Sequence, residues 1–282
     1  PLAPLEALSE PLGLVLVGPF EVMAGRFDGR VPRRSLLLHW RFYGDPPEFF
    51  TLFAGEEDGP HFGYFLDDPP QGECCVASYF PDSPLEWLCD GDDLFEAIRL
   101  YLEHRYALAS IQTDESGESD LLQKRHLEAL DRLREKWPTS AEGPRPEKGE
   151  DYISRYEGHA RRLEKVLVKT REGMGVVAEP AKYRAPHLRG RALWKELRRK
   201  QVDLSRWREE AMLALSEGYP ATTLELGRNL WLSRNRAKTA LGAELLEAAY
   251  AMLGRDVLRR VVQAHQAERY LPMVDILEEE NP

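Results

Sequence analysis

Two short segments of the sequence carry side chains that could do chemistry. Glu217 lies between Ser216 and Pro220, where Gly218 and Pro220 mark the end of one helix and the start of the next. A carboxylate just before a helix N-terminus is favoured in its charged form, so Glu217 could serve as a hydrogen-bond acceptor or a base. A capping glutamate with only a structural role is the alternative.

The second segment is the dipeptide Tyr183-Arg184, which follows the glycine-rich stretch 173–177 and precedes Pro186. An arginine in such a loop can make bidentate contacts to a carboxylate or a phosphate. The alternative is a surface arginine without a specific partner.

Standard catalytic signatures are absent. The sequence has no P-loop, GxGxxG, GxSxG or HExxH motif. Three cysteines without a CxxC pair, and seven scattered histidines, predict neither a disulfide framework nor a metal site. Asp67-Asp68-Pro69 is interpreted as an acidic turn, and His39 and His61 as structural residues within strands.

Charge is distributed unevenly along a chain of net charge −10. Residues 1–100 contain 6 Lys/Arg against 18 Asp/Glu, whereas residues 151–208 contain 16 against 7. The acidic balance argues against direct nucleic-acid binding, and the basic segment would attract an acidic partner or a phosphate-bearing ligand. The alternative is ordinary solvated helix faces, carrying Arg161, Arg162, Lys165, Arg198, Arg199 and Lys200.

The sequence contains no run of 18 apolar residues and no recognisable secretory signal. No membrane association is therefore expected. Few cysteines suit a reducing compartment, so the expected location is the cytoplasm, or the nucleus if the source is eukaryotic.

Short aromatic and apolar runs separated by turn residues predict an antiparallel meander in the first half. The predicted strands are Leu14–Val17, Ser35–Phe42, Phe49–Gly55, His61–Asp67 and Cys74–Phe80. Helical spacing then predicts a helix capped by Asp92 or Asp93 and a second one over Ser119–Lys136. Because one sheet face cannot bury all the aromatic residues, we expect both faces to be covered in part.

The second half is predicted to be mainly helical. Gly173–Val177 is interpreted as a short strand or hairpin, and the predicted helices are Tyr152–Val168, Arg191–Gln201, Ser205–Leu215, Thr222–Leu232, Ala237–Leu253 and Val257–Ala267. The predicted fold class is α+β. It comprises an N-terminal antiparallel sheet domain with flanking helices (residues 1–137), a linker (138–150) and a mostly helical domain with a short hairpin (151–282).

Seven longer stretches match the sequence pattern of one known family. They are Leu12–Gly25, Leu38–Leu52 (LHWRFYGDPPEFFTL), His61–Pro69, Gly91–Leu102, Gly175–Pro186, Ser216–Trp231 (SEGYPATTLELGRNLW) and Ala243–Leu258. On these stretches the chain resembles, over nearly its whole length, the histone PARylation factor family, accessory proteins of poly(ADP-ribose) polymerases.

The resemblance implies a protein that is not an enzyme on its own. It would bind the catalytic domain of an ADP-ribosyltransferase, which holds the NAD, and would complete a joint active site that modifies serine in an acceptor protein. The family's catalytic glutamate falls on Glu217. Its partner contacts fall on Tyr183, Arg184, Ser216, Asn229 and Arg236.

This sequence departs from the family at four of the implied contact positions. Ser216 and Asn229 replace aspartates, Arg236 replaces a histidine and Ala240 replaces a lysine. Two alternatives stay open. One is a Smi1/Knr4-like interaction module to which Glu217 makes no catalytic contribution. The other, a stand-alone NAD-dependent transferase, is disfavoured because no NAD-binding fingerprint is present.

Overall fold

The computed structural model describes residues 3–55, 59–81, 83, 85–111, 118–138, 160–199, 202–233, 235–271 and 274–277. The helices of the described first half are α1 (Ala3–Glu6), α2 (Ser9–Leu12), α3 (Pro19–Met23), α4 (Leu94–Ile111) and α5 (Glu118–Lys136). Those of the second half are α6 (Ala160–Lys165), α7 (Gly190–Leu197), α8 (Leu204–Ser216), α9 (Pro220–Trp231), α10 (Arg236–Leu253) and α11 (Asp256–Ala267).

Five antiparallel strands form a meander in the order β1-β2-β3-β4-β5. Their bounds are β1 Val15–Leu16, β2 Phe49–Ala54, β3 His61–Asp68, β4 Glu73–Tyr79 and β5 Leu88–Gly91. Aromatic residues face each other across β2 and β3, where Phe49 pairs with Phe65 and Phe53 with Phe62. Such cross-strand pairs stabilise a sheet and fix its register. The predicted antiparallel meander is confirmed, but its strand list is not: β5 was missed, and the predicted strand Ser35–Phe42 does not form.

Both faces of this sheet are covered, as predicted. One face carries Phe53, Phe62 and Val76 and packs on α4 and α5. The other carries Phe49, Phe65 and Cys75 and packs on Trp87 and on Met174 of the second half. Neighbouring strand residues point to opposite faces, which is why buried Cys75 follows exposed Cys74. The sheet is therefore the middle layer of the molecule.

Helix α9 lies at the centre of the second half, and all twelve of its residues are buried. It packs closely on α10, because Gly242 brings that helix near the backbone of α9: a Cβ at Gly242 would lie 2.8 Å from the amide nitrogen of Trp231. Helices α7 and α8 cover another side of α9. The hairpin of β6 (Val166–Val168) and β7 (Val176–Val177) covers a third.

Buried ion pairs and hydrogen bonds connect the first half to the second. Arg162 donates two hydrogen bonds of 2.8 Å to the carboxylate of Asp67. Arg255 donates to Asp68 over 3.0 Å, and the indole N–H of Trp231 donates to the backbone carbonyl of Asp45 over 2.8 Å. Charged groups are buried at low cost only when they are paired in this way.

Several predictions made from the sequence are wrong. Ser35–Phe42 is not a strand but contains the 3-10 helix Leu36–Leu38. The guanidinium of Arg41 donates to the carbonyls of Leu37, Pro46 and Phe49, which curls the chain around that side chain. His39 consequently lies outside any strand, at the end of that 3-10 helix.

The second error concerns Val166–Val168, which was predicted to end a helix and instead forms β6, since β-branched residues suit a strand. The third concerns charge. Arg162 is not helix surface but buried, and Asp67 lies within β3, whose last residue is Asp68, and not in a turn. The predicted linker, apart from Pro138, and residues 152–159 of the predicted helix lie outside the described residues.

The second-half helices and the hairpin otherwise agree with the prediction. Asp93 caps α4 by accepting hydrogen bonds from the amides of Phe95 and Glu96, and Asp203 caps α8 in the same manner. The predicted α+β class is therefore confirmed.

Candidate functional site

Glu217 lies at the turn between α8 and α9. The amide of Gly218 donates to the carbonyl of Leu215, and that of Tyr219 donates to the carbonyl of Ala214. This is a Schellman ending, and it requires the positive φ of +87° at Gly218. Pro220 then starts α9. The turn presents the side chain of Glu217 at the surface, 41% exposed.

Arg184 reaches this turn from the loop after β7. Its backbone is fixed by Thr222 in α9, whose hydroxyl accepts from the Arg184 amide over 2.9 Å and donates to the Arg184 carbonyl over 2.6 Å. The guanidinium forms an ion pair with the carboxylate of Glu217. It also lies 4.8 Å from the centre of the Tyr219 ring, within cation–π range. Arg184 and Glu217, 33 residues apart, therefore share one surface.

Tyr183 anchors the same loop from the inside. Its hydroxyl donates a 3.0 Å hydrogen bond to the carboxylate of Glu225. Burial raises the pKa of Glu225 to about 7, although the Tyr183 hydrogen bond opposes that shift. Burial and the neighbouring Glu225 also raise the pKa of Tyr183. This half-buried tyrosine thus holds the loop against α9 while Arg184 remains 47% exposed.

The other predicted contact residues are scattered. Ser216 is exposed beside Glu217, and its hydroxyl donates to the carbonyl of Leu213 over 2.8 Å. Arg236 and Ala240 are exposed on α10. That helix begins after the far end of α9, so about 18 Å of helix separates Arg236 from the Glu217 turn. A partner that contacts both must span α9.

Asn229 requires a correction. It was predicted to contact a partner, but it is only 1% exposed. Its amide nitrogen donates to the Glu225 carbonyl over 2.8 Å, and its amide oxygen accepts from the backbone of Arg171 over 3.1 Å. Asn229 therefore fixes the loop that connects β6 to β7 and presents no appreciable surface to a partner.

Sequence reasoning missed Thr222 and Tyr219, although both position Arg184. Thr222 acts on the backbone of a residue 38 positions away, so no local motif reveals it. Tyr219 is adjacent to the glycine that ends α8, and an aromatic residue there could have been considered as a stacking partner for an arginine.

The arrangement offers an oriented carboxylate at an open surface. Three cavities of about 310 to 400 Å³ lie elsewhere, and none is lined by Glu217, Arg184 or Tyr183. Within the described ranges, no group of three or more His, Cys, Asp or Glu residues could hold a metal ion. None of the helices searched in those same ranges is both long and apolar enough to cross a membrane.

Fold and site together define a class of protein: an α+β body with an oriented, exposed carboxylate at the turn between two helices. Comparison with known proteins identifies the family. The family model Histone PARylation factor 1 matches residues 1–143, half of the 282-residue chain. The chain belongs to the histone PARylation factor 1 family, as its resemblance implied.

Curated relatives extend the similarity to almost the whole chain. Histone PARylation factor 1 of Bos taurus is 29% identical over 296 aligned positions, covering 98% of this chain and 81% of the relative. The protein of that name from Mus musculus is 27% identical over 303 positions, with the same two coverages. That from Danio rerio is 27% identical, covering 97% and 79%. The segments with Arg184 and Glu217 thus lie outside the family-model match but within the part of the chain that aligns with these relatives.

Proposed function

We propose that this chain is an accessory factor of a poly(ADP-ribose) polymerase and that Glu217 acts as a general base in a joint active site. The partner's catalytic domain would hold NAD, and this chain would add one carboxylate. The observation that carries the proposal is the exposed Glu217 side chain, oriented by Arg184 at the end of α8. Family membership supports the identity of the partner.

The chemistry explains what one carboxylate can change. A serine hydroxyl is a weak nucleophile and must lose its proton as it attacks C1′ of the NAD ribose. The O–C1′ bond forms, the bond from C1′ to nicotinamide breaks, nicotinamide leaves, and the proton passes to Glu217. An aspartate or glutamate acceptor is already ionised and needs no base. Addition of Glu217 would therefore redirect modification towards serine.

Arg184 has a different proposed role. Its guanidinium forms an ion pair with the Glu217 carboxylate and so orients that side chain. Because Arg184 is also exposed, its remaining N–H groups can donate to a partner. Tyr183 and Ser216 are proposed contacts beside it, and Arg236 a contact at the other end of α9. The interface would then extend along this side of the helical half.

The test combines a binding assay with mapping of modified residues. The chain is mixed with the polymerase of its source organism, NAD and a serine-bearing acceptor protein. Glu217→Ala should abolish serine modification and leave binding nearly intact, because little contact area is removed. Arg184→Ala should weaken binding, because a charge-assisted contact is lost. Glu209→Ala, at an exposed glutamate on α8, is the matched control.

The alternative interaction module predicts another pattern. If Glu217→Ala and Arg184→Ala weaken binding equally, and serine modification falls only in proportion to binding, Glu217 is a contact and not a base. The shared-site proposal would then be abandoned.

A further inference from the structure

Two adjoining cavities lie where the first half meets the end of α11, away from the Glu217 turn. Their volumes are about 400 and 310 Å³, and they share Tyr43, Arg269 and Tyr270 as lining residues. Both volumes lie in the range of small-molecule sites. The smaller cavity is also lined by Arg236.

Arg269 has unused hydrogen-bonding capacity at this place. It is 6% exposed, and its guanidinium lies between the rings of Trp231 and Tyr43, 3.7 and 4.6 Å from their centres. Nη2 donates to the Trp231 carbonyl over 2.7 Å, but Nε and Nη1 have no hydrogen-bond partner among the described residues. Buried donors without acceptors are costly, and an anion in the cavity would satisfy them.

The surrounding charges leave the site positive. Burial lowers the pKa of His265 well below its usual value. The positive charges of the neighbouring buried Arg41 and Arg269 lower that pKa further. The lining of the two cavities contains one carboxylate, that of Glu268, which is paired with Arg34, against four arginines: Arg34, Arg41, Arg236 and Arg269. The buried Asp45 attracts Arg41 and Arg269 but lines neither cavity, so positive charge is in excess.

Aromatic groups complete the site. The rings of Tyr43 and Tyr270 are 5.1 Å apart at an angle of 36°, and Tyr270 is 72% exposed. An exposed aromatic face next to buried and exposed arginines suits a planar base joined to phosphate groups. We propose that the paired cavities bind a nucleoside diphosphate, with its phosphates on Arg269 and Arg236 and its base on Tyr270.

Calorimetric titration of the full chain with ADP tests this site. ADP should bind, and Arg236→Ala and Arg269→Gln should each weaken binding by about tenfold or more, because each removes a charge-assisted contact. Tyr270→Ala should weaken the binding of ADP but not of pyrophosphate, which has no base to stack. Arg260→Ala, at an exposed arginine on α11, should change nothing. Thermal melting identifies any variant that fails to fold.

Three results would overturn the proposal. They are no ADP binding at millimolar concentration, ADP binding that is unchanged in both folded arginine variants, or capture of a glutamate-rich peptide in place of ADP, which would assign the site to acidic proteins. Glu217→Gln should bind ADP as the unaltered chain does, so failure of this site and failure of the base proposal are distinguishable.

Discussion

At the scale of single residues, the ion pair of Arg184 and Glu217 needs an explanation other than stability. Both side chains are nearly half exposed, and exposed ion pairs contribute little to folding because water and salt screen them. By contrast, the backbone of Arg184 is held by buried Thr222. The fold therefore fixes the position of the pair without depending on its charge.

A first prediction follows for stability. Glu217→Ala and Arg184→Ala should each change the free energy of unfolding by less than about 1 kcal/mol. Urea unfolding followed by circular dichroism measures this change. A loss of several kcal/mol in either variant would show that the pair is structural, and functional losses in that variant could no longer be attributed to chemistry.

A second prediction concerns Glu225 and pH. Its pKa is raised by burial from 4.5 to about 7, so the folded chain keeps this proton over a range in which the unfolded chain has lost it. Its contribution to stability is therefore present below about pH 4.5 and is lost as pH rises to about 7. Glu225→Gln keeps an acceptor for Tyr183 and removes the titration.

The free energy of unfolding of Glu225→Gln, relative to the unaltered chain, should thus increase between pH 4.5 and 7, by about 3 kcal/mol at most. Urea titrations of both chains at several pH values across that range measure the difference in the free energy of unfolding. The other titrating groups are the same in both chains, so their contributions cancel. Glu209→Gln, at an exposed position, should show no such trend. A difference independent of pH would contradict the raised pKa.

At the scale of elements, the turn between α8 and α9 determines where the carboxylate lies. Gly218 adopts φ +87°, and a Cβ there would meet no atom within 4 Å. The requirement for glycine is therefore conformational and not steric. A third prediction is that Gly218→Ala lowers the free energy of unfolding by about 1–2 kcal/mol, the cost of a left-handed residue with a Cβ.

Chemical denaturation measures that cost. Gly44→Ala is its control, because that glycine also has open space around its Cβ position but no positive φ. Equal effects of the two substitutions would show that the Schellman turn does not depend on the conformation of Gly218.

The elements also show what sequence can and cannot predict. Aromatic and apolar runs between turn residues placed β2, β3 and β4 correctly, and the second-half helices α8 to α11 were placed within a few residues. Ser35–Phe42 misled because the buried Arg41 donates to carbonyls up to eight residues away, a set of contacts that a run of apolar residues does not reveal. The break that contains Glu217 was visible from Gly218 and Pro220, whereas the burial of Asn229 depends on tertiary contacts that spacing does not encode.

At the scale of the whole molecule, buried charges join the halves. Arg228 of α9 donates to the Gly175 carbonyl over 2.7 Å, forms an ion pair with Glu172, and lies 3.6 Å from Glu48 of the first half. All three charged side chains are 2% exposed or less. The sequence predicted two separate domains and could not reveal this network, because its members are far apart along the chain.

A fourth prediction follows from that network. Arg228→Met should lower the free energy of unfolding by about 3–5 kcal/mol, because two buried carboxylates lose their counter-charge. Adding Glu172→Gln should recover part of the loss. Urea unfolding of both variants, with Arg260→Met as an exposed control, measures these effects. A loss below about 1 kcal/mol for Arg228→Met would contradict the proposed role of the network.

The central claim is that Glu217 supplies a base to a partner's active site. Its most direct test is mass-spectrometric mapping of modified residues after reaction of the polymerase, NAD and an acceptor protein with either the unaltered chain or Glu217→Gln. Gln keeps the size and a hydrogen bond to Arg184 but cannot accept the proton. Serine modification should fall by about 10²–10⁴ in rate while the complex still forms. Serine modification at the unaltered rate by Glu217→Gln would contradict the claim.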